Sequence, residues 1–321
     1  MNDSTRDPSR RDAIRTGLAA GMGLALGRLP LHAADLAAGT AQLPLVTKPI
    51  PSSGEQIPVI GLGTAQSWGQ TPTDRLVELI RRMPDLGGKV IDTAPSYGQS
   101  EIVLGSVVEQ VGNRDRLFLA TKVSVGGRGG GAPDPARGIA SLEESMRRLK
   151  TDRIDLMQVW NLGGPDILLP ILREWKQAGK IRYLGVTTSS DRQYPQLIEL
   201  MKKETLDFVQ VDYSVANRNA AEEVLPLAAE RGMAVLINLP FGRESIFRAV
   251  EGKDVPGWAE DIDCTTWAQL ALKYVVSHPA VTCAIPGTTN PDHLADNMTA
   301  AHGRMPDAAM RTRIEQAFAA T

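Results

Sequence analysis

"KVIDTAPSYGQSEIVLGSVVEQV", residues 89–111, carries two periodicities in one stretch. Its first six residues form a short β-branched run of the kind buried on both faces of a parallel sheet, whereas residues 101–111 space their apolar side chains as a helix does. A polar link containing Pro95 and Gly98 joins the two. The same strand–loop–helix unit recurs along the chain. Strands are read at "VIGLGT" (59–64), "KVIDTA" (89–94), "LFLATK" (117–122), "IDLMQV" (154–159), "RYLGVT" (182–187), "DFVQVD" (207–212), "MAVLIN" (233–238) and "VTCAIP" (281–286). Between them lie helices such as "DRLVELIRRM", "ARGIASLEESMRRL", "PDILLPILREWKQA" and "CTTWAQLALKYVV". Roughly eight such cycles predict an α/β fold, a closed (β/α)8 TIM barrel, with "DAAMRTRIEQAFAA" as an appended C-terminal helix.

A doubly wound dinucleotide-binding sheet is the rival architecture, and "GLGTAQ" at 61–66 superficially resembles its glycine fingerprint. The third glycine is missing, and "SWGQTP" interrupts the place where a phosphate-binding helix should start at once. "VGGRGGGAPDP" at 125–135 lacks the Lys-Ser/Thr of a phosphate loop and reads as a flexible rim loop. The chain has 321 residues, with 35 Lys+Arg against 37 Asp+Glu, so it offers no electrostatic footprint for nucleic acid. Cys264 and Cys283 are too few for a disulfide framework and lack metal-ligand spacing, so no metal is expected.

The N-terminus reads as an export signal. In "SRRDAIRTGLAAGMGLALGRLPLHAAD" a paired Arg10–Arg11 precedes a weakly apolar Gly/Ala/Leu run and then small residues. The order resembles a twin-arginine signal over residues 1–33, with cleavage near Ala33 or Ala34, a 34–56 lead-in and a barrel over 57–321. The expected partner is then the twin-arginine export machinery and the expected location the periplasm, with no transmembrane segment in the mature chain.

In a barrel of this kind chemistry sits at the carboxyl ends of the strands. "IDTAPSYGQSE" places Asp92 on one strand tip and Tyr97 at the start of the next helix, and "ATK" ends the following strand on Lys122. Each has a plain structural use as a turn cap, a packed ring or a solvated cation. Together they make a proton-delivery unit. A lysine ammonium stabilises a neighbouring phenolate, an aspartate holds that lysine charged, and the tyrosine can then hand its proton to a carbonyl oxygen.

These residues, above all "DTAPSYGQSE", resemble the aldo-keto reductase family from about Ile57 to Asn297. The resemblance implies a barrel that binds NAD(P)H across its rim and reduces an aldehyde or ketone, or oxidises an alcohol. Asp92, Tyr97 and Lys122 fall on three of the family's catalytic positions. For the cofactor it implies Gly63 and Thr64 in "GLGT", Thr187 and Thr188 in "GVTTSS", Gln210 under the carboxamide, and Asn238. It further implies Pro240, Phe241, Gly242 and Arg243 in the pyrophosphate loop, and Gly287, Thr288, His293, Asp296 and Asn297 around the adenosine.

The departures matter as much. Thr188 stands where the family usually has asparagine, Asn238 where an aromatic often stacks on the nicotinamide, and Gly287 and His293 where cations commonly pair a 2′-phosphate. The family's histidine position is Trp160, with one N–H donor and no acceptor. Asn161 is expected on the opposite face of the strand, and truncation of Trp160 is expected to open space toward Trp68. Hence two readings: an NAD(P)-dependent oxidoreductase with an altered substrate range, or a protein that keeps fold and cofactor for sensing or non-redox chemistry. An exported member would also need to retain its cofactor tightly.

Overall fold

The computed structural model describes residues 43–65, 68–125 and 134–319. An antiparallel hairpin comes first, β1 (Thr47–Pro49) against β2 (Gln56–Pro58). Eight parallel strands follow in chain order: β3 (Leu62–Gly63), β4 (Val90–Asp92), β5 (Phe118–Val123), β6 (Ile154–Trp160), β7 (Ile181–Thr187), β8 (Phe208–Asp212), β9 (Ala234–Asn238) and β10 (Cys283–Ala284). The helices around them are α1 (Thr73–Arg82), α2 (Ser100–Val111), α3 (Pro135–Arg148), α4 (Pro165–Gln177), α5 (Tyr194–Lys203), α6 (Val224–Glu230), the short α7 (Ser245–Ala249), α8 (Trp267–Val276) and α9 (Pro291–Thr299). An appended α10 (Ala308–Ala319) completes a (β/α)8 barrel.

The first and last strands close the ring through parallel bridges at Ile60–Ala284 and Gly63–Gly287. The N–H of Gly61 donates to Ala284 O at 2.8 Å and that of Gly63 to Pro286 O at 3.0 Å. A Cβ on Gly61 would lie 2.7 Å from Val90 O, and one on Gly63 would lie 2.8 Å from Ile285 O. The glycines of "GLG" therefore have a structural reason: they let the backbones meet where the barrel closes, which removes the dinucleotide-fold rival. Steady pairing is confined to two residues on β3 and on β10, shorter than the 59–64 and 281–286 expected from the apolar runs.

Strand pleating sorts the barrel interior into a floor and a mouth. At the floor, Val90, Phe118, Leu156, Tyr183, Phe208, Ala234 and Cys283 form one buried cluster with Ile50 and Ile57 of the hairpin region. Phe118, Tyr183 and Phe208 stack or cross at 5.6–6.0 Å between ring centroids. Two or four residues further along the same strand faces stand Asp92, Lys122, Gln158, Gln210 and Asn238. The floor excludes water and the mouth gathers polar side chains, so the site has one available end.

The 34–56 lead-in thus contains β1, and the hairpin crosses the boundary expected at 56–57 because Ile50 and Ile57 both plug the floor. Its Lys48 gives its ammonium to the carbonyls of Val276, His278 and Val281, tying the hairpin to the end of α8. Lys273 on α8 makes a second such pin. Fully buried, it donates to Ile262 O (2.7 Å), His302 O (2.7 Å) and Arg304 O (2.9 Å). Lys273→Met is expected to strand three carbonyls and cost about 3–5 kcal/mol of stability, read as a lowered urea midpoint at unchanged slope. Cys264 and Cys283 are both buried and free. Among the described residues no helix is long and apolar enough to cross a membrane, and no cluster of metal-ligating side chains occurs. Residues 1–33, read as the signal, and residues 126–133 of the rim loop expected at 125–135 lie outside the described residues.

Candidate active site

A cleft of about 800 Å3 crosses the carboxyl end of the barrel, toward the upper end of the size range of small-molecule sites. Asp92, Tyr97, Lys122 and Trp160 border it, as do Thr187, Gln210 and Asn238 on neighbouring strand tips. The segment after β9, with Pro240, Phe241 and Arg243, and the start of α9, with His293, Asp296 and Asn297, line it further along, as do Gly63, Gly287 and Thr288.

The charged centre is built from β4 and β5. Lys122 Nζ lies 2.6 Å from Asp92 Oδ2, with both side chains almost fully buried, and also donates to Thr93 O at 2.8 Å. The same ammonium stands 4.9 Å from the centroid of the Tyr97 ring. Asp92 Oδ1 accepts from Gln210 Nε2 at 2.9 Å, with Gln158 Nε2 at 3.4 Å. Burial opposes the charge on Lys122, but Asp92 and Tyr97 outweigh it and raise its pKa above the ordinary lysine value. Burial also dominates at Tyr97 and raises its pKa; Asp92 adds to the rise while Lys122 opposes it. The lysine was expected to make the phenol a stronger acid. Its effect has that sign, but desolvation of the phenolate is larger.

Several residues stand differently from expectation. Tyr97 lies in the loop before α2, three residues ahead of the helix, because Gly98 adopts φ 64° and cannot continue a right-handed turn. Thr188 is buried away from the cleft, where its hydroxyl donates to Gln193 Oε1, and Ser189 lines the cleft instead. Gln210 reaches the cleft but its amide is committed, since Oε1 accepts from Thr187 at 2.9 Å while Nε2 holds Asp92. Thr64 is fully buried beside the cleft rather than on its wall. Gly242 turns the chain at φ 54° between Phe241 and Arg243 without lining the cleft itself. Asn161 faces the cleft, contrary to the pleating expectation, because β6 ends at Trp160 and Asn161 and Leu162 take φ 48° and 53°. Trp68 is buried, with its indole N–H on Thr288 O at 3.3 Å.

Gln158, Phe247 and the Thr266–Trp267–Ala268 end of α8 were not anticipated. Gln158 had a signal, since it is the polar residue two places before Trp160 on the face of β6 that otherwise carries Ile154 and Leu156. Its Oε1 is buried without a hydrogen-bond partner.

The donor set suits a nicotinamide dinucleotide. Asn238 Nδ2 is used on Thr188 O at 3.2 Å, which leaves its buried Oδ1 unpartnered and able to accept from a carboxamide N–H. Leu239, Gly242, Arg243 and Glu244 all take left-handed φ between 50° and 68°. Such a turn can direct backbone N–H groups inward toward an anion, and Arg243 adds a cation.

Comparison with known proteins agrees with this geometry. Residues 59–317 match the Aldo/keto reductase family. Aldo-keto reductase YhdN of Bacillus subtilis is 35% identical over 204 residues, which is 59% of this chain and 60% of that protein's length. The uncharacterized oxidoreductase YqkF of the same organism is 29% identical over 289 residues, covering 79% and 90%. Among solved structures, aldo-keto reductase AKR11C1 from Bacillus halodurans in its holo form superposes with a TM-score of 0.70 at 25% identity, covering 85% of this chain and 96% of that one. An aldo/keto reductase from Klebsiella pneumoniae in complex with NADP and acetate gives 0.68 at 26%, covering 83% and 93%. The chain belongs to the aldo/keto reductase family.

Proposed function

We propose that the protein is an NAD(P)-dependent oxidoreductase that reduces an aldehyde or ketone, or oxidises the corresponding alcohol. The observation that carries this reading is the buried Asp92–Lys122 pair set against the Tyr97 ring at the edge of a cleft suited to the cofactor. A bound reduced nicotinamide supplies the hydride for the carbonyl carbon. Tyr97 delivers the proton to the carbonyl oxygen, so that C=O becomes CH–OH. Lys122 stabilises the phenolate left behind, Asp92 keeps Lys122 charged, and Gln210 and Gln158 hold Asp92 in place. Trp160 stands at the family's histidine position and contributes shape and one N–H donor without proton exchange. Purified mature protein should show bound reduced nicotinamide by absorbance and fluorescence, and its oxidation should depend on added carbonyl. Bound cofactor that no carbonyl in a broad panel oxidises would favour the alternative of a cofactor-binding or sensing protein.

Cofactor choice follows from charge. Among the described residues bordering the cleft beyond the strand tips, Arg243 is the permanent cation, and Glu244 and Asp296 are acidic. Asp296 is held by Thr266 Oγ1 and by Gln269 Nε2 at 2.7 Å, which fixes a carboxylate near that end. A 2′-phosphate lacking its charge-assisted partner forgoes about 1.5–3 kcal/mol, roughly 10- to 100-fold in affinity. NAD(H) is expected to bind at least as tightly as NADP(H) at neutral pH. NADP(H) should gain as pH falls toward 6, because Asp212 gives up its charge and no longer offsets that of Arg243. Burial first, then Asp191, raise Asp212 to about 6, while Asn217 and the Arg243 charge act the other way. A large preference for NADPH that does not vary with pH in calorimetric titration would contradict this.

Export is part of the same proposal and is carried by Arg10, Arg11 and the apolar run behind them. Replacing both arginines with lysine should retain the precursor in the cytoplasm. Undiminished periplasmic recovery of the double variant would remove the twin-arginine reading.

A further inference from the structure

Tyr97 stands in a loop whose backbone bonds are local. Between Asp92 on β4 and Ser100 at the start of α2, the Tyr97 N–H donates to Ala94 O at 3.1 Å and the Ser100 N–H to Tyr97 O at 3.2 Å. Gly98 is left-handed, and Gln99, where the helix begins, gives no side-chain cap. The place of the phenol in the cleft therefore follows from where α2 begins.

Two buried polar side chains hold that first turn. Ser100 Oγ donates to Thr64 O at 3.1 Å, and the Thr64 N–H in turn donates to Asp92 O at 2.9 Å. Glu101, only 1% exposed, accepts at Oε1 from Thr121 Oγ1 at 2.7 Å. Thr121 directly precedes Lys122 on β5, and alternation along the strand sends the threonine out toward α2 while the lysine points into the barrel. Tyr97 and Lys122 are thus joined twice, in front of the sheet by ring and ammonium at 4.9 Å and behind it by helix and strand. The helix has little room to slide. A Cβ on Gly105, one turn after Glu101, would lie 2.1 Å from Arg148 O at the end of α3.

A carboxyl is a costly group for this seam. Burial raises the Glu101 pKa above the ordinary glutamate value, against the opposing pull of Thr121 and Arg148. Arg148 reaches Glu101 Oε2 only at 3.4 Å and shares its guanidinium with Glu144 Oε1 at 2.8 Å. A leucine would fill the seam without desolvating a carboxyl. What it would not supply is direction, because the bond to Thr121 fixes α2 against β5 in one register that apolar packing leaves looser.

We infer that Glu101 is a positioning residue: through Thr121 it fixes the first turn of α2 against β5, and so holds the Tyr97 hydroxyl in place beside Lys122 for proton transfer. Ser100 is the second tie of the same bracket, to the chain beside Asp92. The inference rests on the oxidoreductase reading above, in which Tyr97 is the proton donor.

Glu101→Leu, Glu101→Gln and Thr121→Val test this, each alone and combined with Tyr97→Phe. The rate measured is single-turnover oxidation of NAD(P)H by saturating amounts of the fastest carbonyl in a panel of aldehydes and ketones that includes propanal, with circular dichroism and calorimetric cofactor titration alongside. Glu101→Leu should lower the rate about 10- to 100-fold, the scale of a misplacement near 1 Å, and leave KM and cofactor affinity largely unchanged. Thr121→Val should fall in the same direction. Glu101→Gln keeps an acceptor for Thr121 and should stay within about threefold of native. Because Glu101 acts through Tyr97, Glu101→Leu should cost nothing further in the Tyr97→Phe background.

A residue that only stabilises the fold would lower the rate by the same factor in both backgrounds, and that result overturns the inference. So does a folded Glu101→Leu or Thr121→Val at the native rate, a loss confined to KM or cofactor binding, or a Glu101→Gln as slow as Glu101→Leu. If Glu101→Leu does not fold, Thr121→Val carries the same comparison. Native protein that turns over no carbonyl of the panel overturns the reductase reading, and this inference with it.

Discussion

Tyr97→Phe is expected to lower carbonyl reduction by about 10²–10⁴-fold while cofactor affinity changes little, the contribution ordinarily made by a positioned general acid. The ring itself stays, so its packing 4.9 Å from the Lys122 ammonium is retained and only the acidic proton is lost. The loss should appear in kcat and kcat/KM together, as it does for an interaction made chiefly in the transition state. The pH dependence adds a second signature. Because burial raises the Tyr97 pKa above that of a free phenol, with Lys122 opposing, the group is loaded with its proton throughout the neutral range. Reduction needs the phenol and should therefore hold steady as pH rises to about 9. Alcohol oxidation needs the phenolate as acceptor and should climb with pH over the same interval. In Tyr97→Phe the climb should vanish along with the rate. Equal pH profiles for oxidation by native protein and variant would show that another group accepts the proton.

How much of this was legible in the sequence depended on whether a residue's role follows from local pattern or from distant contact. The strand–helix rhythm is local, so the barrel and its eight strands could be read, and strand alternation places Asp92, Lys122 and Asn238 at one end of the barrel. Strand length was less legible, since β3 and β10 pair over only two residues and apolar runs on either side continue as unpaired chain. The hairpin floor was missed because a three-residue strand containing Pro49 leaves almost no periodic signal, and its reason for existing is Ile50 filling a barrel assembled from residues up to 235 positions away. Thr188 and Gln210 illustrate the converse. Gln210 lies within β8 and Thr188 directly follows β7, but their polar atoms are spent on Gln193 and on Asp92, which no spacing rule reveals. Asn161 failed for a backbone reason, because a left-handed turn directly after Trp160 cancels the pleat on which the expectation rested. Ser141 gave no warning at all. A serine on a helix ordinarily marks a solvated face, and only the placement of α3 beside the end of β5 turns it toward a cavity.

Trp160→His is expected to raise turnover of small, unadorned aldehydes such as propanal by about 10²–10³-fold, the effect of one well-placed donor at a developing oxyanion. Trp160 ends β6 and borders both the cleft and a smaller cavity of about 190 Å3 that reaches Ser124 and Ser141, so its replacement changes two things at once. The smaller imidazole brings a donor to the carbonyl side, and it thins the wall between the two cavities. The first change speeds chemistry on any carbonyl that reaches Tyr97. The second loosens the placement of the substrate, so discrimination among carbonyl substrates should narrow even as rates rise. Trp160→Ala separates the effects. It removes the wall without adding a donor and should broaden substrate range with no gain in rate. Adding Tyr97→Phe to Trp160→His should abolish the gain, because an oxyanion donor without a proton source leaves the alkoxide unquenched. If Trp160→His folds, binds cofactor as the native protein does and gains nothing, the indole is not what limits ordinary carbonyl reduction. The weight then shifts to a protein that keeps the barrel and its cofactor for a purpose other than turnover.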